Sequence, residues 1–201
     1  MSQIALPLAS GSSGPSRIVI GSANAHVADA LARPESWPFH TAVLTGPARS
    51  GKSLFARWFG ERGGQAIDEA HRLDEATVFH RWNRAQESGT PLLIVAGEPP
   101  WTIALPDLRS RLGAALQLEI GLPDDAMAEE LLYSLADERG LPLSAEAAAY
   151  LVPRAGRAWA ELERLVAAID RLSLERKAPA TQSIWRAALE AVHGPEEPRL
   201  F

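Results

Sequence analysis

The chain has 201 residues and a net charge of −5, a balance that argues against a protein whose main task is gripping nucleic-acid backbones, because such affinity comes from clustered Lys and Arg. It contains no cysteine, which excludes disulfides and thiolate metal sites, and His26, His40, His71, His80 and His193 show no metal-ligand spacing. No apolar stretch approaches the ~20 residues a membrane helix needs, and the N-terminus lacks the basic start of a secretion signal, so a soluble, cytoplasmic protein with no membrane partner is expected.

Residues 1–16 join an apolar hexamer, Gln3-Ile4-Ala5-Leu6-Pro7-Leu8, to a Ser/Gly/Pro run that cannot bury enough surface to order itself, which predicts a flexible tail. Ser22 is placed to cap a helix over Ala23 to Arg33, which Pro34 and Pro38 stop. The run Thr41-Ala42-Val43-Leu44-Thr45 reads as a strand. It leads directly into Gly46-Pro47-Ala48-Arg49-Ser50-Gly51-Lys52-Ser53, an uninterrupted G-x-x-x-x-G-K-S string, and Leu54 lies in the first turn of the following helix. In a strand-loop-helix setting the backbone N–H groups converge on a polyphosphate at a helix N-terminus. Gly46, Ser50, Gly51, Lys52, Ser53 and Leu54 are therefore predicted to surround the phosphates, with Lys52 reaching the β/γ oxygens and Ser53 holding Mg²⁺.

The helix from Lys52 to about Arg62 ends at Gly63-Gly64, and Gln65-Ala66-Ile67 forms a strand ending in Asp68 and Glu69. Asp68 is expected to hold the Mg²⁺ shell and Glu69 to polarise an attacking water, since phosphoryl transfer needs positioning and charge neutralisation above all. His71 has two readings, a group facing the terminal phosphate or a surface cap. Asp74 is placed to cap a helix to about Gln86 with Val78, Trp82 and Ala85 on one face. Pro91 to Ala96 and Ala115 to Ile120 read as further strands, and strands alternating with helices argue for a parallel sheet. From Leu122 onward the pattern is wholly helical, over 124–139, 144–152, 158–175 and 181–192, which places a boundary near Pro123. The six tryptophans are scattered through both units and read as packing residues.

The phosphate-binding loop, the acidic strand end, the segment Leu105-Pro106-Asp107-Leu108-Arg109-Ser110-Arg111-Leu112 and the helical C-terminal part together resemble the AAA+ module of bacterial replication initiators. Within that group the chain is most similar to the short Hda-type regulators, which lack the initiator's DNA-binding domain. The resemblance covers about residues 15–193. It implies an α/β three-layer core with a parallel sheet over 17–122 and a small helical lid over 123–194, between tails 1–16 and 195–201. It also implies ADP or ATP with Mg²⁺ as cofactors, with Ile18 to Asn24 along the base, and two partners, the DNA polymerase III β sliding clamp and the initiator DnaA. The hexamer resembles a clamp-docking motif: Leu6 and Leu8 would enter an apolar pocket and the Gln3 amide would bond its rim. Arg111, in Ser110-Arg111-Leu112, matches the arginine finger that reaches a neighbouring subunit's nucleotide, with Arg109 as the alternative.

Three departures from the family pattern carry consequences. The interval from Lys52 to Asp68 leaves room for one helix and a turn only, so one edge strand should be missing and about four remain. The strand ending at Ala96 continues into Gly97-Glu98-Pro99-Pro100, where relatives offer a residue that orients water, which predicts weak or no hydrolysis by this chain. The lid arginine of the family falls at Ala160, and Arg157, one turn earlier, is either its substitute or a solvated arginine. The expected function is a clamp-tethered adaptor that promotes ATP hydrolysis by DnaA, is drawn to the nucleoid through the clamp, has no strong DNA affinity of its own and can form a homo-oligomer. The alternatives are a self-sufficient P-loop ATPase or kinase, distinguished by turnover of the purified chain, and a non-enzymatic replisome or DNA-targeting scaffold, distinguished by salt-dependent duplex binding.

Overall fold

The computed structural model describes residues 5–7 and 17–194, the latter with their side chains. The chain divides between Gly121 and Leu122 into two units.

In the first unit an antiparallel pair joins β1 (Ala5–Pro7) to β2 (Arg17–Val19), with Leu6 opposite Ile18. The middle of the apolar hexamer is thus a strand, where the sequence predicts a flexible tail; backbone pairing with β2 supplies the order that its composition alone does not. Helix α1 (Ala25–Leu31) starts after Asn24, not Ser22. The Asn24 side chain accepts a bond from Gly21 N–H and donates one to Val19 O, at 3.0 and 2.9 Å, so it ties the helix start back to β2.

Four parallel strands form the main sheet: β3 (Thr41–Thr45), β4 (Gln65–Ile67), β5 (Leu92–Val95) and β6 (Leu116–Glu119), in the order β4-β5-β3-β6. In β3, hydrogen-bonded on both sides, Thr41 to Leu44 are all buried, as are all four residues of β5. Helices on a sheet's faces produce such unbroken apolar runs where a half-solvated sheet would alternate. The connecting helices are α2 (Lys52–Glu61), α3 (Glu75–Ser88) and α4 (Pro106–Gly113). Only α2 and a glycine turn lie between the loop after β3 and β4, which leaves β4 as the rim of the sheet. That rim is three residues long, and the Arg81 guanidinium from α3 donates to Ala66 O at 3.0 Å. A short strand with a cation on an outward carbonyl presents little edge for another chain to pair with.

The second unit contains α5 (Asp125–Asp137), α6 (Ala145–Leu151), α7 (Trp159–Arg176) and α8 (Gln182–His193). Asp124 and Ser144 cap α5 and α6 by accepting from Met127 N–H and Ala147 N–H. Its core includes Met127, Leu132, Leu151, Leu162, Leu165, Ile169 and Ile184. Glu161 of α7 is half-buried and paired with His193 at the end of α8. Five of the six tryptophans, at 37, 58, 82, 159 and 185, are buried, and Trp37 stacks on Phe59 at 5.1 Å. Among the described residues no helix is long and apolar enough to cross a membrane.

Candidate nucleotide site

The loop from Gly46 to Ser53 leaves the C-terminal end of the interior strand β3 and enters α2 at Lys52. Two glycines give it its shape. Gly46 has φ +146° and lies so close to Ile120 that a β-carbon would come within 2.9 Å of that residue's carbonyl oxygen; Gly51, at φ +86°, holds a left-handed conformation immediately before the helix. A helix leaves its first N–H groups without intrahelical partners, so the amides of Gly51, Lys52 and Ser53 start α2 as anion donors at the positive end of its dipole.

The donor set fits a polyphosphate. Ser50 is buried inside the loop and its Oγ has no hydrogen-bond partner among the described residues, an arrangement that costs free energy unless a ligand answers it. The Lys52 ammonium donates to Gly46 O and Pro47 O at 2.7 and 2.6 Å, which commits two of its three donors. Burial lowers its pKa below the ordinary 10.5, opposed by the nearby negative charges of Glu98 and Asp68. A bound polyphosphate adds further negative charge beside this lysine and raises its pKa again. Nucleotide binding is therefore expected to take up protons on the alkaline side, with affinity falling as pH rises through the lysine's depressed pKa; calorimetry in buffers of different ionisation enthalpy measures that uptake.

Asp68 and Glu69 follow the rim strand β4. Asp68 Oδ1 accepts the Glu69 N–H at 2.9 Å, and Glu69 sits in the left-handed region at φ 49° with its carboxylate paired to Arg72 at 2.9 Å. Both acids are exposed. His71 packs its ring beside Gly97, its Nε2 3.4 Å from where a β-carbon on that glycine would stand. Ser53 and Asp68 are the residues that would hold a magnesium ion.

Arg111 is half-buried at the C-terminal end of α4, with its guanidinium 4.4 Å from the Trp82 ring centroid and 5.1 Å from that of Phe79. Both rings belong to α3. Arg109, two residues earlier, is exposed. The other end of α4 is held by α3 as well. The Glu75 carboxylate accepts Ala104 N–H at 2.9 Å and Leu105 N–H at 2.6 Å, just before the helix starts at Pro106. Glu75→Ala is expected to lower stability by about 1–2 kcal/mol through the loss of two charged hydrogen bonds, read as a shift of the urea midpoint at unchanged slope. Nothing in the local sequence pairs Glu75 with a loop some thirty residues away.

In the helical unit, Arg157 precedes α7 and is engaged. Its Nη2 bonds Asp125 Oδ1 at 2.6 Å and its Nη1 donates to Val152 O at 2.9 Å. Of the hexamer, Gln3 and Leu8 lie outside the described residues, and Leu6 lies in β1. The C-terminal tail, with Leu200 and Phe201, also lies outside them.

Residues 125–183 match the family described as the Hda lid domain. An uncharacterized protein of Haemophilus influenzae is 30% identical over 104 residues, 50% of this chain and 45% of that protein, so the chain spans under half of that relative. Among solved structures, domain III of the Thermotoga maritima replication initiation protein DnaA superposes with a TM-score of 0.72 at 13% identity, over 88% of this chain and 95% of that one. A DnaA bound to AMPPCP and single-stranded DNA gives 0.60 at 17% identity, over 79% and 65%. The RuvB Holliday junction branch migration motor of Thermotoga maritima gives 0.57 at 19% identity, over 78% and 64%. At these identities the structural likeness is one of fold.

Proposed function

We propose, from an Hda-type lid joined to a DnaA-like AAA+ fold, that this DnaA-related chain binds an adenine nucleotide at Gly46 to Leu54, moors to the DNA polymerase sliding clamp through Gln3, Leu6 and Leu8, and presents Arg111 to ATP held by DnaA. The observation that carries this reading is the pairing, in one unit, of a complete phosphate loop with an arginine that α3 holds at the end of a short helix. A fixed, planar, always-charged donor suits the stabilisation of charge on a transferring phosphoryl group in a neighbouring molecule.

In this reading Ser53 and Asp68 hold Mg²⁺ with the bound nucleotide, and the nucleotide serves assembly more than turnover. The metal, when bound, neutralises phosphate charge. The Lys52 ammonium orients the polyphosphate, while Glu69, whose carboxylate is engaged by Arg72, contributes little to activating water. Arg157 is the candidate lid arginine, with Asp125 and Val152 O as its present partners. The clamp would bring the protein to the nucleoid without DNA contacts of its own. Clamp, ATP-loaded DnaA and this protein are mixed and phosphate release is measured. Stimulation that needs all three and is lost on deleting residues 1–8 supports the proposal; equal stimulation by the deleted form removes the clamp from it.

The retained Asp68-Glu69 pair favours a second reading, a chain that hydrolyses ATP alone. It predicts steady turnover by the isolated protein, abolished by Glu69→Gln.

A further inference from the structure

The end of β5 and the start of the phosphate loop run side by side. Gly46 N–H donates to Gly97 O at 3.2 Å, and the next residue, Glu98, lays Oε1 3.3 Å from the Ala48 N–H. A main-chain donor of the loop is thereby given to a carboxylate of the chain itself. The same carboxylate lies close enough to Lys52 to act on its ammonium electrostatically.

From this geometry we infer that Glu98 is a specificity-determining residue that discriminates against a third phosphate. The inference deepens the proposed nucleotide site and rests on that reading. In a loop of this kind the amides nearest the helix take the inner phosphates and the lysine serves the outer ones. Ala48 lies three to five residues before Gly51, Lys52 and Ser53, on the strand side of the loop. An N–H that holds a carboxylate oxygen is not available to a phosphate oxygen. A triphosphate also adds charge facing an anion of the same sign, and at an effective dielectric constant near 20 a repulsion across roughly 12 Å is worth about tenfold in affinity. A diphosphate fills the helix end of the loop and leaves Glu98 where it is.

The test is titration calorimetry of the full chain with Mg²⁺ and either ADP or a non-hydrolysable ATP analogue. For the unaltered protein ADP is expected to bind more tightly. In Glu98→Gln the analogue gains about tenfold in affinity, while ADP changes less than threefold and the gap narrows. Glu98→Ala, with thermal melting matched to the parent, is expected to repeat the pattern, which separates charge from shape. An unchanged ratio of the two affinities in both variants overturns the inference while leaving the nucleotide site intact. Binding of neither nucleotide by the parent overturns the site itself, and this inference with it.

Discussion

Under the proposed function, Arg111→Ala is expected to lower stimulation of DnaA's ATP hydrolysis about a thousandfold, the lower end of what a finger supplied in trans contributes, while this protein's own nucleotide affinity stays within a factor of two or so. The measurement is phosphate release from ATP-loaded DnaA with clamp and this protein present. Arg111 also stacks on Trp82 and Phe79, and cation–π contacts of this kind contribute about 0.5–2 kcal/mol, so the variant should melt at a somewhat lower temperature. Arg111→Lys distinguishes the two roles. A lysine retains charge and much of the ring contact but loses the planar fork, so restored stability without restored stimulation assigns the loss to the finger. Equal stimulation by all three forms would move the role elsewhere, with exposed Arg109 the next residue to test.

Lys52→Met should weaken binding of adenosine di- and triphosphates by about 10- to 100-fold, the equivalent of one strong charge-assisted contact, as read by calorimetry. It should do so without unfolding the chain. The ammonium is half-buried and its pKa is depressed chiefly by desolvation, so an apolar side chain of similar length removes a costly buried charge along with two hydrogen bonds to loop carbonyls. A thermal midpoint unchanged or slightly raised, beside a collapse in affinity, is the expected signature. A parallel fall in both would mean that Lys52 serves the loop's structure above all.

Much of this arrangement is legible in the residues because it is local. The G-x-x-x-x-G-K-S spacing needs only a strand before it and a helix after it, and the short interval from Lys52 to Asp68 has no space for a further strand, so a four-stranded parallel sheet follows from counting. Caps obey the same logic: Asp74 accepts from Thr77 N–H at 3.1 Å, as its position implies. What escapes the residues is set by distant neighbours. Ser22 reads as the cap of the first helix, but the helix starts after Asn24, whose side chain accepts from Gly21 N–H and donates to Val19 O. The guanidinium of Arg111 lies against the Phe79 and Trp82 rings of α3 and that of Arg157 meets Asp125, contacts that the residues beside each arginine do not announce. Glu98 is conspicuous in the chain as a departure, but its contact with Ala48 depends on the parallel alignment of β5 with β3.

The rim position of β4 has a consequence for motion. Asp68, the residue proposed for the metal, follows a strand laddered on one side only, whereas Lys52 follows β3, laddered on both. Marginally supported segments open more often than doubly supported ones, so amide exchange should be faster through Gln65 to Ile67 than through Thr41 to Thr45, and a tightly held magnesium nucleotide should narrow that difference. One half of the pocket is thus anchored at the centre of the sheet while the other half breathes at its margin.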